Sequence, residues 1–337
     1  MNKAQAINLI SALYGNDQIV DFRRGVSRKV IVAMNDGYKK YVLKIGTKAS
    51  LRNSIEGELE KRGFLLPHFA GHLPEIISYS FVNGIEIMKM QYAGDYSFYE
   101  TVTRSLCPTS VSLSLLSQIL SCKKRLWFET AKPYVATDCV RDYNARAKEL
   151  SERICQMIVG GKLISEIQSM PVIVNGCKYP GFGALIERLK EYVPATHTCN
   201  SHGDMNADNI LFSDDNWFLI DWEWAGRHDW IESLSRICGW WQMMGTTLEN
   251  IPTARIVNEC LEFEYDLSLP SLIGKLIENI RKAGEEVADS LQEKSFESKL
   301  NYMLATYYLR DLNFQEQRGR CNFTIPALGE AFKVLFG

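Results

Sequence analysis

The chain has 337 residues, 46% of them hydrophobic and 23% charged, with a formal net charge of −2 at pH 7. That is enough apolar sequence for one large or two modest cores, and it lacks the basic excess of a general nucleic-acid binder. The nine cysteines are odd in number, widely spaced and without a Cys-x-x-Cys pair, so no disulfide framework or zinc site is expected. Reduced thiols in a cytoplasmic setting are expected instead. No run of about 18 apolar residues could span a membrane. The opening "MNKAQAINLISALYGNDQ" reads as a short amphipathic helix, not a signal peptide.

After that helix, "KVIVAM" and "YKKYVLKI" read as strands joined by a hairpin turn at Asn35-Asp36-Gly37. In "SLRNSIEGELEKRGFLL", Leu51, Ile55, Leu59 and Leu66 fall at roughly helical spacing. "EIISYSFVNGIEIMKMQY" then gives two more strands around Asn83-Gly84. From Asp95 to about Glu191 the periodic runs are helical, as in "VSLSLLSQILSCKKRLWF", and from Trp230 to the end they are helical again. The expected architecture is α+β and bilobal: a small β-rich lobe over 1–94 and a large helical lobe over 95–337.

One stretch interrupts the helical part. "SHGDMNADNILFSDDNWFLIDWEWAG" holds two short strands, "NILF" and "WFLID", joined through Ser213-Asp214-Asp215-Asn216. Asp204, Asn206, Asp208, Asn209, Asp221 and Glu223 crowd onto this hairpin and its approaches. Asp204 and Asn209 share one loop, while Asp221 returns along the hairpin, so the three can converge. Hard oxygen donors gathered in this way suit Mg²⁺ and phosphate.

"HGDMNADN" followed by "LIDWE" resembles the paired motifs of the aminoglycoside phosphotransferase and choline kinase superfamily, relatives of the protein kinases. Upstream, "RRGVSR", Lys44 in "YVLKIG", a helical Glu and "IMKMQYAG" stand in the order that family uses. The resemblance implies a protein-kinase-like fold and phosphoryl transfer from ATP with Mg²⁺, where catalysis is positioning and charge neutralisation. It implies Asp204 as catalytic base, Asn209 and Asp221 as metal ligands, and Lys44 as the cation on the α/β phosphates. Ser27 and the amides after Gly25 would cover the phosphates, and adenine would lie against the backbone of Met90 to Tyr92. The acidic partner of Lys44 is Glu56 or Glu58; Glu58 is favoured because it lies nearer the Leu59 and Leu66 stripe. His202 is expected to orient the loop, and Glu223 and Trp224 to contact or support the substrate. The resemblance also sets Glu232 where relatives often carry an Asp that braces the catalytic loop.

Asn206, where a protein kinase usually carries Lys, and the long segment before Ser201 favour a small-molecule acceptor. "LIDWEWAG" resembles the choline and ethanolamine kinase branch, and Trp222, Trp224, Trp240 and Trp241 could offer faces to a quaternary ammonium or simply be core. The expected activity is phosphorylation of a hydroxyl on an amino alcohol or a sugar-like acceptor. Aminoglycoside inactivation, a protein or glycan kinase, and a nucleotide-binding pseudokinase are the alternatives. No nucleic-acid partner is expected.

Overall fold

The β-branched runs at the start of the chain form an antiparallel sheet in the computed structural model, which describes residues 3–15, 17–24, 29–47, 54–213, 216–310, 312 and 321–337, with backbone alone at 3, 22–24 and 321. Gly25, Ser27, Leu51 and the hairpin tip at 214–215 lie outside the described residues. The chain divides into two compact units, Met1–Leu106 with Ser201–Gly226, and Cys107–Asn200 with Arg227–Gly337.

In the first unit, helix α1 (Lys3–Tyr14) precedes β1 (Gln18–Arg24), β2 (Val30–Asn35) and β3 (Lys40–Thr47). Helix α2 (Ile55–Arg62) leads to β4 (Ile76–Val82) and β5 (Ile85–Gln91), then β6 (Tyr96–Ser97) and α3 (Phe98–Thr103). The sheet order is β1-β2-β3-β5-β4. Successive side chains of a strand face opposite ways, so Tyr41, Leu43 and Ile45 pack with Val30, Val32 and Met34 against Ala6 and Ile10 of α1. The other face gathers Met88, Met90 and Val42 with Ile55 of α2. Lys44, between Leu43 and Ile45, is thereby turned to the α2 face.

The expected turns form. Asp36 Oδ1 accepts from the Tyr38 and Lys39 amides, and Asn83 and Gly84 both take positive φ, as the tight turn between β4 and β5 requires. Helix α2 is shorter than its apolar pattern. It ends at Arg62, and Leu66 lies beyond it, 41% exposed. The stripe through Leu66 therefore does not face the sheet.

In the second unit, α4 (Thr109–Thr130), the short strand β7 (Lys132–Pro133) and α5 (Tyr143–Cys155) are followed by β8 (Ile158–Val159), β9 (Lys162–Leu163), β10 (Val172–Val174), β11 (Cys177–Tyr179), α6 (Phe182–Lys190) and β12 (His197–Ser201). The interrupting hairpin, part of the first unit, is β13 (Ile210–Ser213) and β14 (Asn216–Leu219), paired Ile210 to Leu219 through Ser213 to Asn216. Then come β15 (Gly226–Asp229), α7 (Trp230–Met244), β16 (Thr247–Leu248), β17 (Thr253–Val257), β18 (Cys260–Glu264), β19 (Leu267–Ser268), α8 (Ser271–Ser290), α9 (Phe296–Arg310) and α10 (Thr324–Phe336).

The regions expected to be helical thus contain a four-stranded sheet, β11-β10-β18-β17. Its two hairpins turn at Asn175-Gly176 and Asn258-Glu259, all four at positive φ. Local turn chemistry outweighed the surrounding helical periodicity. The sheet packs with α6 and α10 through Val172, Phe182, Phe263 and Phe332. At Gly239 a Cβ would stand 2.5 Å from the Tyr307 ring, so only glycine lets α7 and α9 cross this closely. The fold is α+β, with a β-rich N-terminal region and a helical C-terminal region. Among the described residues no helix is long and apolar enough to cross a membrane, and the eight cysteines with described side chains are all free thiols.

Candidate active site

Helix α2 has two turns and gains little from propensity alone, so its ends must be held. Ser54 caps it by accepting from the Gly57 amide at 2.9 Å. Glu86, fully buried in β5, accepts from the Ile55 and Glu56 amides at 2.9 and 3.0 Å and from the Tyr79 hydroxyl at 3.0 Å. A carboxylate on the helix N-terminus is favoured by the dipole as well as the hydrogen bonds. Held in this way, α2 directs Glu58 inward, 1% exposed.

Glu58 is the partner of Lys44. Its Oε1 lies 2.6 Å from Lys44 Nζ. Its Oε2 lies 2.9 Å from the ammonium of Lys29, a residue that sequence reasoning passed over. Lys44 continues to Asp221 Oδ1 at 3.0 Å, and Lys29 to Glu223 Oε2 at 3.3 Å. Five side chains make one chain of charge, Glu223–Lys29–Glu58–Lys44–Asp221, with both lysines 3% exposed. A signal for Lys29 existed: Val30, Val32 and Met34 face α1, so strand alternation puts position 29 on the face of Lys44.

Burial would lower the Lys44 pKa, but the Glu58 and Asp221 carboxylates outweigh it and hold it above the ordinary lysine value. For Asp221 burial pulls upward, and Lys44 reverses this to leave the carboxyl below its usual range. Both therefore stay charged at neutral pH. Asp221, two residues past β14, sits at φ 60°, a left-handed conformation that Asp tolerates better than most residues. Lys61 Nζ donates to the Glu223 carbonyl at 2.5 Å.

The loop before β13 is held by its own amides. Asn206 Oδ1 accepts from the Asp208 and Asn209 amides at 3.0 and 3.1 Å, and its Nδ2 donates to Asp204 Oδ2 at 3.4 Å. Asn209 Nδ2 donates to the Asp204 carbonyl at 2.8 Å. A carbonyl can only accept, so this bond sets the amide's orientation and turns Asn209 Oδ1 away from the loop. The buried His202 bonds the Ile220 carbonyl through Nε2 at 2.8 Å. The same reasoning makes Nε2 the protonated nitrogen, leaving Nδ1 to accept from the Asp204 amide at 3.4 Å. His202 ties the Asp204 loop to the residue before Asp221. Asp208 accepts from Ser97 Oγ at 3.2 Å, at the start of α3. That approach depends on Gly94, whose Cβ would lie 1.5 Å from the Phe212 carbonyl oxygen at φ 136°.

The remaining expected residues are spread more widely. Met90 lies inside the ladder, opposite Val42 on β3 and Ile76 on β4, whereas Tyr92 follows the end of β5 and donates its hydroxyl to Asp95 at 2.6 Å. Ser27 lies outside the described residues. Trp222, Trp240 and Trp241 are at most 2% exposed, which makes them core and leaves Trp224, half-buried, as the accessible ring of the four. In the second unit, Glu232 is buried among Arg141, Arg236 and His228.

Among the described residues no three His, Cys, Asp or Glu side chains are spaced to hold a metal ion. An Mg²⁺ site would instead draw on one carboxylate, Asp221, one amide oxygen, Asn209, and the oxygens of substrate and water, which is ordinary for this ion. The donor set fits.

Residues 162–255 match the model of the phosphotransferase enzyme family APH. No curated protein matches the chain in sequence. Among solved structures, an aminoglycoside-3'-phosphotransferase of type VIII is similar at 12% identity and a TM-score of 0.52, over 91% of this chain and 97% of that one. The amicoumacin kinase hAmiN, solved in complex with AMP-PNP, Ca²⁺ and Ami, is similar at 9% identity and a TM-score of 0.51, over 94% and 87%. The fold is accordingly protein-kinase-like, in the form these small-molecule phosphotransferases share.

Proposed function

We propose that this protein is an ATP- and Mg²⁺-dependent phosphotransferase acting on a hydroxyl of a small molecule, an amino alcohol or a sugar-like acceptor. The observation that carries the reading is the charge chain of Lys44, Glu58 and Asp221, the first two buried, in the same unit as the braced Asp204 loop. Lys44, held charged by two carboxylates, supplies a fixed cation for the α/β phosphates. Asp204, oriented by Asn206, Asn209 and His202, accepts the proton of the acceptor hydroxyl. The acceptor oxygen then bonds to the γ-phosphorus as the bond to the ADP oxygen breaks. Asn209 and Asp221 would hold Mg²⁺, which when bound neutralises phosphate charge. The part-exposed Trp224 and Glu223 remain available to the acceptor. The similarity to an aminoglycoside-3'-phosphotransferase and an amicoumacin kinase supports a small-molecule acceptor over a protein.

The test is a metabolite screen read by ATP consumption, run with aminoglycosides, choline, ethanolamine and amino sugars. Mg²⁺-dependent phosphorylation of one of them, lost in Asp204→Ala, supports the reading. Tight ATP binding with no turnover on any hydroxyl would instead favour a nucleotide-binding regulator.

A further inference from the structure

In the second unit, the turn at Asn175 between β10 and β11 closes one side of a cavity of about 320 Å³. The last turns of α7 bring Gln242 to it, α9 brings Tyr308, and α10 brings Glu330 and Lys333. Tyr265 and Asp266, just past β18, complete the polar lining, and Leu267 and Leu269 add an apolar edge. Close packing holds the arrangement. A Cβ at Gly329 would stand 2.5 Å from the Tyr265 hydroxyl oxygen. Only glycine there lets the buried Tyr265 lie across α10 and donate to Glu330 Oε1 at 2.8 Å.

Three of the polar side chains are committed at one atom only. Asn175 Oδ1 accepts from the Tyr265 amide at 3.1 Å. An amide N–H can only donate, so the Asn175 NH₂ group is the half left over. Gln242 Oε1 accepts from the Tyr308 hydroxyl and from the Cys238 thiol at 3.8 Å, which leaves its NH₂ group in the same way. Glu330 Oε1 takes both the Tyr265 hydroxyl and, at 2.7 Å, the Lys333 ammonium, and no described residue bonds its Oε2. Lys333 also lies 4.8 Å over the Tyr265 ring. Asp266 is fixed through its backbone: its amide donates to Asn250 Oδ1 and its carbonyl accepts from the Glu249 amide, both at 3.1 Å. Asp266 itself is exposed.

The Glu330–Lys333 pair satisfies its own charges, and water screens the exposed Asp266, so the cavity selects for neither sign. What it offers is hydrogen bonding of both kinds. The Asn175 and Gln242 amides donate, while the Glu330 and Asp266 oxygens accept. A hydroxyl does both, so several adjacent hydroxyls on one uncharged ligand satisfy the two sets together. The volume lies at the small end of ligand sites, which join apolar walls to a few placed polar groups. We propose that this cavity binds a small neutral polyol. The proposal goes beyond the phosphotransferase reading and stands without it: every residue it uses lies in the second unit, whereas Lys44, Asp204 and Asp221 lie in the first.

The experiment is a binding titration of the full chain, read by calorimetry and by saturation-transfer NMR, first without ATP and then with it. The probes are myo-inositol, glucose and sorbitol, with cyclohexanol, gluconate and glucosamine as the apolar, anionic and cationic controls. At least one of the three neutral polyols is expected to bind saturably at one site per chain, with ATP making no difference. Cyclohexanol should not bind, and neither charged analogue should bind more tightly than the polyols. Asn175→Asp keeps the oxygen for the Tyr265 amide but loses the NH₂ group, and Gln242→Met loses the whole amide. Each should weaken binding roughly fivefold, as loss of a neutral hydrogen bond would. If Gln242→Met does not fold, Gln242→Glu, which keeps an oxygen for Tyr308, should show the same loss. The proposal is overturned if no polyol binds better than cyclohexanol, or if gluconate or glucosamine binds more tightly than all three. It is equally overturned if ATP competes with the polyol, or if the Asn175 or the Gln242 variant binds like the wild type.

Discussion

Each unit holds a cluster of ions, and among the described residues the two are built from different cations. In the first, Lys29 and Lys44 are shared among Glu58, Asp221 and Glu223, with the Lys61 ammonium at the Glu223 carbonyl. In the second, Glu232 is shared among Arg141, Arg146 and Arg236. The first cluster reaches solvent through the Asp221 side chain, 39% exposed, whereas Glu232 and Arg141 are buried. Compact ammonium groups beside carboxylates suit a site that a metal and phosphates must enter, and planar guanidinium forks suit holding a buried carboxylate in one geometry.

The strongest way to break this comparison is to remove the carboxylate of the first cluster most open to solvent, Asp221. Asp221→Asn should abolish Mg²⁺-dependent turnover, the largest loss expected from any single substitution in the molecule. Stability should change little, since Lys44 keeps Glu58. Near-normal rates at ordinary Mg²⁺ would show that this carboxylate has nothing to do with metal. Next in size, Asp204→Ala should lower turnover roughly 10²- to 10⁴-fold, the range for loss of a general base, with ATP affinity and Tm close to wild type. A fall in ATP affinity and Tm together would make Asp204 a structural residue, bracing the loop.

Lys29 gives a finer test. Lys29→Met leaves Glu58 its bond to Lys44 but strips Glu223 of its ion pair, so a loss of about 1–3 kcal/mol is expected in chemical denaturation. The variant also removes one positive charge from the cluster. If the carboxylate charge thereby released helps to hold Mg²⁺, the metal concentration for half-maximal rate should fall in this variant even as stability drops. A higher Mg²⁺ requirement would mean that Lys29 serves the phosphates directly.

How far the sequence foretold this follows from what each signal depends on. The compound motif from His202 to Asp221 was legible because its members lie close in sequence. The turns at Asn35-Asp36-Gly37 and at Asn83-Gly84 were legible for the same reason. "VIVNGCKY" carries an equally plain Asn-Gly signal, yet helical periodicity on both sides masked it. Lys29 needed knowledge of which face of β2 meets α2, and its partners Glu58 and Glu223 are distant along the chain. Glu86 reads as an ordinary strand glutamate until α2 is laid over it. The tryptophans stood open between core and cation-facing readings, and three of the four rings are core, an outcome that depends on tertiary packing alone. The contacts of Glu232 with Arg141 and Arg146 join residues far apart along the chain and left no local pattern to find.

The smallest expected effect sharpens the comparison from inside the second unit. Asp229, buried like Glu232, has among the described residues only neutral donors: the Ile231 and Glu232 amides on Oδ1, and the Ala195 amide and Tyr192 hydroxyl on Oδ2. Burial wins there and pushes its pKa up to about 6. For Glu232, burial is outweighed by Arg141 and Arg236, which hold it well below the usual range. A carboxyl whose folded pKa is raised contributes stability that is full below its unfolded value of about 4 and is lost as pH rises through about 6. Acidifying from pH 7 to 5 should therefore return roughly 1 kcal/mol through Asp229, at about 1.4 kcal/mol per pKa unit. Glu232 should contribute no slope in that window, because its stabilisation is lost only at much lower pH. Asp229→Asn removes the titration but keeps an oxygen for the α7 amides, while its new amide faces the Ala195 N–H and lowers stability at every pH. The informative quantity is consequently the slope of unfolding free energy between pH 5 and 7, wild type minus variant, in which all other titrating groups cancel. Equal slopes would mean that Asp229 is ionised throughout, and that neutral donors can hold a buried carboxylate as firmly as arginines do.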